Sequence, residues 1–139
     1  ITWNKVCDGK YYFCSKIAGI MGKESVDCEL DVDANNPSSY RIKNVYGQGY
    51  NLKFKKAKSG STDEAGKTFN YIIVPKFSTG LTYKTLGTVY MTDAYTLTGS
   101  ADYLDNGIYA DNSLFISTVY YVSAGNISVL ETEKFVPNN

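Results

Sequence analysis

The 139-residue sequence contains no histidine, and it has only three cysteines and three prolines. Without histidine, the chain lacks the residue that most often serves as a general base or as a zinc ligand. The cysteines at positions 7, 14 and 28 have no C-x-x-C spacing, so we expect neither a metal site nor a cofactor. No G-x-S-x-G motif is present, and a carboxylate pair among 14 acidic residues is too common to indicate a glycosidase. We therefore expect a protein that is not an enzyme.

An excess of charge is also missing, because 14 lysines and arginines balance 14 aspartates and glutamates. Nucleic-acid binding requires a clustered basic excess, so this balance argues against a nucleic-acid partner. No apolar run approaches the roughly 18 residues of a membrane span, and no signal peptide is recognisable. From the abrupt start at Ile1-Thr2-Trp3 we expect a mature or trimmed form, which leaves room for an export signal or a lipid anchor upstream. We expect membrane contact only through such an anchor.

The residues that are abundant favour β-structure in a single domain, residues 1–139. Thirteen tyrosines, together with many threonines, valines and isoleucines, suit pleated and half-buried surfaces. No stretch of ten or more residues shows the 3.6-residue apolar stripe of an amphipathic helix. The sequence predicts an all-β fold with almost no helix.

The clearest pattern is a β-hairpin between Val26 and Val45. Apolar residues alternate with acidic ones over positions 26–33, and a polar break at 34–39 precedes Tyr40-Arg41-Ile42-Lys43. Strict alternation places Leu30 and Ile42 on the inner face and the carboxylates on the outer face. We predict that Asp33 lies opposite Arg41 and Asp31 opposite Lys43. The acidic face is either a solvated, charge-paired surface or a surface for calcium or a partner.

The whole chain predicts about ten short strands separated by turn signals. Asp8-Gly9 is read as a turn between two opening strands, and residues 58–67 as an exposed, mobile loop. The predicted strands are Trp3–Val6, Lys10–Ile17, Val26–Asp33, Tyr40–Tyr46, Tyr50–Lys55, Tyr71–Val74, Thr88–Thr92, Tyr95–Leu97, Ile108–Tyr109, Ser113–Val122 and Ile127–Val136.

We predict an antiparallel β-sandwich of two packed sheets, with a calycin-like closed β-barrel as the alternative. Periodicity alone does not separate the two architectures, because both alternate inward apolar and outward polar residues. An interior cavity would favour the barrel and a small apolar ligand.

Two further features leave alternatives open. If the chain turns at residues 19–22, Cys14 and Cys28 face each other, so they form either a cross-strand disulfide or buried free thiols. The oxygen-rich stretch around Gly107 either cradles calcium or simply forms turns, and it lacks the spacing of an EF-hand loop. Its residues are Asp102, Asp105, Asn106, Asp111 and Asn112.

Aromatic residues are the candidate binding residues, because six of them flank predicted turns. Their rings either stack on a sugar or a protein partner, or cover the ends of the β core. The six are Trp3, Tyr46, Tyr50, Tyr95, Tyr103 and Tyr109.

Three segments carry a resemblance to a known family. They are WNKVCDGKY at 3–11, NPSSYRIKNVYG at 36–47, and LDNGIY at 104–109 followed by Leu114-Phe115-Ile116. These resemble a module of secreted or surface lipoproteins of Bacteroides-type bacteria, which opens with W-x-x-x-G-x-G-x-Y and continues with N-P-G-x-Y-R-[LI]-x-N-P-Y. Val45 replaces the usual proline of that second motif. The resemblance implies an all-β fold, export, lipid anchoring and a non-catalytic role in glycan use at the cell surface, as on an outer membrane.

The sequence therefore predicts a monomeric, non-catalytic cell-surface accessory module that binds glycan. The alternatives are a structural or adhesion module and, for a barrel, a binder of small apolar ligands. An adhesion module would contact protein through an exposed sheet edge in the Val119–Val129 hairpin.

Overall fold

Ten β-strands and two short α-helices make up the computed structural model, which describes all residues from Ile1 to Asn139. The elements are β1 (Trp3–Tyr12), α1 (Ser15–Met21), β2 (Ser25–Asp33), β3 (Asn36–Lys43), β4 (Leu52–Thr62), β5 (Thr68–Ile73), β6 (Phe77–Thr82), β7 (Thr88–Asp93), α2 (Ala94–Thr98), a 3₁₀ turn (Ala101–Tyr103), β8 (Gly107–Tyr109), β9 (Leu114–Val122) and β10 (Gly125–Pro137). None of the helices has the length and apolar character that crossing a membrane requires.

The sheet closes into an antiparallel barrel of eight strands. Its order is β10-β1-β2-β3-β4-β5-β8-β9, and β9 pairs in turn with β10. β9 pairs with β8 near its start and with β7 further along, so the β6–β7 hairpin extends outside the ring. The all-β prediction is confirmed and the barrel alternative fits, whereas the two-sheet sandwich is not confirmed. Pairing of the first strand with the last one closes the ring, and alternation within each strand carries no information about that pairing.

The predicted hairpin is present as β2 and β3, with Leu30 opposite Ile42 and both side chains fully buried. Its register differs from the prediction by two residues, since Asp31 faces Arg41 and Glu29 faces Lys43. The turn is shorter than the polar composition suggested, because β3 already begins at Asn36. The register prediction was therefore wrong.

The predicted turn at Asp8-Gly9 is also wrong, because β1 runs through both residues. Gly9 lies opposite Cys28 and beneath the ring of Phe135. A Cβ atom at position 9 would lie 2.4 Å from Cζ of Phe135. The glycine therefore permits a close approach between strands rather than a change of direction.

Two predicted strand segments are helical, so the expectation of almost no helix is wrong. Residues 15–21 form α1, which ends at Gly22 in the left-handed conformation. Tyr95–Leu97 lies within α2, whose first turn is capped by Asp93 accepting a hydrogen bond from the Thr96 N–H at 2.6 Å. Capping chemistry decided this short segment, although its composition favours a strand.

Other local predictions changed with these elements. Because α1 occupies the predicted turn, the Cys14–Cys28 pairing does not form, and all three cysteines are free. The first half of the predicted 58–67 loop belongs to β4, which continues to Thr62, and only residues 63–67 form a turn. β6 was not predicted.

The barrel interior is filled by side chains. Tyr11, Phe54, Tyr120 and Phe135 are the largest fully buried residues of a continuous 19-residue apolar core. Five cavities of the molecule are open clefts at its surface. This packing lends no support to the small apolar ligand that an interior cavity would favour.

Candidate functional site

The six candidate aromatic residues do not gather in one place. Tyr50 and Tyr109 line two different clefts, which are described below. Tyr95 is half-buried in α2, and Tyr103 is exposed in the 3₁₀ turn.

The remaining two, Trp3 and Tyr46, have structural contacts. The guanidinium of Arg41 lies 4.7 Å from the centre of the Trp3 ring, so that ring covers an ion pair between Arg41 and the buried Asp31. Tyr46 is 5% exposed and belongs to the barrel core. Both rings therefore already have partners within the fold.

Tyr109 contributes to a cleft of about 550 Å³, which we call the aromatic cleft. Residues of β5, β8, β9 and β10, of the turn after β4 and of the segments next to β8 form its walls. The lining residues used below are Asp63, Glu64, Phe69, Asp105, Tyr109, Ser113, Phe115, Thr132 and Lys134.

Strand register and one glycine bring three rings together in the aromatic cleft. Phe69 lies opposite Tyr109, and Gly107 lies opposite Phe115. A Cβ at position 107 would lie 2.3 Å from Cδ1 of Phe69 and 2.9 Å from Cε1 of Phe115. With no side chain there, the Phe69 and Phe115 rings meet edge to face, with centroids 5.2 Å apart.

The turn at residues 63–66 fixes the orientation of Tyr109. The Asp63 carboxylate accepts hydrogen bonds from the backbone N–H groups of Ala65 and Lys67 and, at 2.8 Å, from the Tyr109 hydroxyl. These bonds lower the pKa of Asp63, the Lys67 N–H bond most strongly. The pKa of Tyr109 is raised, mainly by partial burial and to a smaller extent by its hydrogen bond to Asp63.

The ammonium group of Lys67 contacts one face of the same Tyr109 ring. The Lys67 ammonium lies 4.4 Å from the Tyr109 ring centre and 3.0 Å from a carboxylate oxygen of Asp111. The ring is therefore held by its hydroxyl and by one face, so it is ordered before any ligand arrives.

The oxygen-rich stretch 102–112 is explained by local turn and sheet contacts. Asn106 is buried and bridges two strands, donating to the Ile72 carbonyl and accepting from the Ser117 N–H. Asp111 accepts two hydrogen bonds from Ser113 and pairs with Lys67. No group of three or more acidic or thiol side chains converges as a metal site would require. The calcium alternative gains no support from this geometry.

A buried polar cluster inside the barrel was missed in the sequence. The Glu133 side chain accepts hydrogen bonds from the hydroxyls of Tyr11 and Tyr120 at 2.7 and 2.6 Å and from the Cys14 N–H at 2.9 Å. Since Tyr120 gives its only hydroxyl proton to Glu133, Tyr46 must be the donor in the 2.8 Å contact between Tyr46 and Tyr120. The cluster therefore joins β1, β9, β10 and the start of α1.

Burial raises the pKa of Glu133, and the bonds from Tyr120, Cys14 and Tyr11 oppose that effect. Only 1% of the residue is exposed, so it has no direct access to a ligand in the surface clefts. One sequence signal was present, because alternation puts Glu133 on the same face as the apolar Phe135. The hydrogen-bond partners of Glu133 lie on segments that are distant in the sequence, and no local pattern predicts that they meet.

Comparison of the chain with protein-family models, with curated proteins and with solved structures found no match. The resemblance to the Bacteroides-type lipoprotein module therefore stays a prediction.

Proposed function

We propose that this protein is a non-catalytic accessory module of the cell surface that binds glycan in the aromatic cleft. The main support is the ordered group of Phe69, Tyr109 and Phe115 on the outer face of the barrel, next to hydrogen-bonding side chains. The export and surface location come from the sequence resemblance alone.

The chemistry of the aromatic cleft suits a saccharide. Pyranose rings combine apolar C–H faces with many hydroxyls, so they favour aromatic surfaces flanked by acceptors and donors. Glu64 and Asp105 provide carboxylate acceptors, while Ser113 and Thr132 provide hydroxyls. The cleft is open, which suits a chain-like ligand that extends beyond it.

Pre-organisation favours binding at this position. Because Asp63 and Lys67 already hold Tyr109, a ligand loses little free energy to ordering that side chain. Asp63 does not fit the role of the acid in a glycosidase, because that role needs a raised pKa and the pKa of Asp63 is lowered.

The proposal is tested with a glycan array, followed by calorimetry and NMR titration with the oligosaccharides that bind. We expect Tyr109→Ala to weaken binding about two- to tenfold, since an aromatic contact is worth roughly 0.5–1.5 kcal/mol. Tyr103→Ala is the matched control, because Tyr103 is an exposed tyrosine that does not line the cleft. Circular dichroism of each variant checks that the fold is retained.

Two results would overturn this proposal. One is an array on which no glycan binds above background. The other is a glycan that binds equally well to the Tyr109→Ala and Tyr103→Ala variants.

The adhesion alternative has one observation in its favour. β10 pairs with β1 only through residues 134–137, so its earlier part has one open edge, where Val129 and Leu130 are 47% and 53% exposed. Two register shifts interrupt this part of β10, and irregular strands are poor templates for strand addition. β9 is paired on both sides. We expect Val129→Lys to abolish any self-association seen by light scattering, and a strictly monomeric wild type would count against adhesion between copies.

A further inference from the structure

A second cleft, around Tyr50, has a different chemical character. Its volume is about 390 Å³, and it lies between β4 and the segment that enters β6. We call it the lysine cleft, after Lys53, Lys55 and Lys76 among its lining residues.

The strand pattern explains why two of these lysines lie side by side. Lys53 and Lys55 alternate along β4 with Leu52 and Phe54, which are 0% and 1% exposed. Both lysines therefore project from the outer face, and their Cα atoms lie roughly 6.6 Å apart, two residues along one strand. Lys76 reaches the cleft from the segment between β5 and β6.

The ring of Tyr50 forms one side of the lysine cleft. The Tyr50 ring packs directly on the backbone of Gly80, where a Cβ would lie 2.4 Å from Cε1 of the ring. Gly80 has a positive φ of 75°, so a side chain at this position is disfavoured by conformation as well as by space. Tyr50 is still 47% exposed, which leaves part of the ring available to a ligand.

None of the three lysines forms an ion pair within the structure. The four ion pairs of the chain use Lys5, Lys10, Arg41 and Lys67, and no carboxylate lines the lysine cleft. The aromatic cleft, in contrast, contains three carboxylates and one lysine. The zero net charge of the chain therefore conceals two clefts of opposite sign.

We propose that the lysine cleft binds a compact anionic group, a carboxylate, sulfate or phosphate, carried by a ring that stacks on Tyr50. Lysine ammonium groups bind such oxyanions as point charges and need no fixed orientation. The hydroxyls of Ser39 and Ser78 lie in the same lining and add hydrogen-bond donors. This site is independent of the glycan site proposed above, because it uses other residues and opposite charge.

Calorimetric titration with paired probes tests the proposal. The anionic probes are a glucuronate-containing oligosaccharide, a sulfated disaccharide and glucose 6-phosphate, each compared with a neutral counterpart. Inorganic sulfate and phosphate are titrated separately to measure recognition without a ring. We expect at least one anionic probe to bind more tightly than its counterpart, and its affinity to fall between about 50 and about 300 mM salt.

Variants locate the binding. Each of Lys53→Ala, Lys55→Ala and Lys76→Ala should weaken the binding of that probe about two- to fivefold, the range expected for a solvent-screened charge pair. The triple variant should weaken it roughly tenfold to a hundredfold. Lys58→Ala is the matched control, because it removes the same charge from the same strand outside the cleft. Tyr50→Ala should weaken binding of the ring-bearing probe but not of inorganic sulfate or phosphate.

The proposal is overturned if no anionic probe binds better than its neutral counterpart at low salt. It is also overturned if Lys58→Ala weakens binding as much as Lys53→Ala, because the effect would then be one of general surface charge. Tyr109→Ala should leave the anionic probe unaffected. The experiments can therefore refute the anion site without refuting the glycan site, and the reverse.

Discussion

Replacing Glu133 with glutamine would test whether the buried cluster holds the barrel together as a directed hydrogen-bond network. The substitution keeps the size of the side chain and one carbonyl oxygen. That oxygen can still accept from Tyr11 and Tyr120, whose hydroxyls both contact the same carboxylate oxygen. The new amide group, however, would point its N–H₂ at the N–H of Cys14, which now donates to the other oxygen.

The expected loss follows from that mismatch. One hydrogen bond to a charged group, worth about 1.5–3 kcal/mol, disappears, and a buried N–H is left without an acceptor. Part of the loss is offset, because the variant no longer buries a charge. We expect the free energy of unfolding to fall by about 2–3 kcal/mol, a large fraction of the roughly 5–15 kcal/mol typical of a domain.

The direction of the network predicts an order among the tyrosine variants. Tyr11→Phe removes a donor to the carboxylate and should cost about 1.5–3 kcal/mol, whereas Tyr46→Phe removes only a bond between two hydroxyls and should cost about 1 kcal/mol. Tyr103→Phe is the control for loss of an exposed hydroxyl, and we expect no measurable change.

Urea unfolding followed by circular dichroism measures these free energies, provided that the slopes against denaturant agree among the variants. A Glu133→Gln protein within about 0.5 kcal/mol of the wild type would refute the argument. A Tyr46→Phe protein that loses more stability than Tyr11→Phe would refute the assigned direction of the network.

Three further predictions concern the pH dependence of stability, the ion pair between Arg41 and Asp31, and the thiol of Cys28. Burial raises the pKa of Glu133 above its ordinary value of 4.5, so the folded protein holds that proton more tightly than the unfolded chain. The Glu133 contribution to stability should therefore fall as the pH rises from 4.5 through the raised pKa, and a wild-type and Glu133→Gln pair with identical pH profiles of unfolding would contradict this. Arg41→Ala leaves the Asp31 carboxylate, only 1% exposed, without its 2.7 Å partner and should cost about 3–5 kcal/mol in urea unfolding, so a cost below about 1 kcal/mol would contradict a buried ion pair. Partial burial raises the pKa of Cys28 to about 12, so a thiol-specific disulfide reagent should modify this residue much more slowly in the native protein than after unfolding, and equal rates at Cys28 in the two states would contradict this prediction.

Two residues of the candidate sites could be predicted from the sequence. Tyr50 and Tyr109 were selected because they flank turns, and each lines one of the two clefts. The same criterion selected Tyr46, which the structure places in the core. Proximity to a turn shows where a ring stands along the chain, but not which strand covers it.

Other residues of the clefts had no local signal. Phe69 and Phe115 meet because β8 lies between their strands and carries a glycine at the contact. Lys76 joins Lys53 and Lys55 only because the segment entering β6 passes beside β4. These meetings depend on the pairing of strands that are far apart in the sequence.

The amino-acid sequence by itself determined that the chain forms strands, and that Leu30 and Ile42 point inward, because side-chain alternation is a property of a few consecutive residues. Only the tertiary structure decided that β1 pairs with β10 to close a barrel, that the hairpin register lies two residues from the predicted one, and that Glu133 finds its donors inside. Barrel closure, strand register and the burial of Glu133 each depend on the free energy of contacts between distant segments. Such contacts do not change the hydrophobic periodicity of either segment, so the sequence pattern does not reveal them.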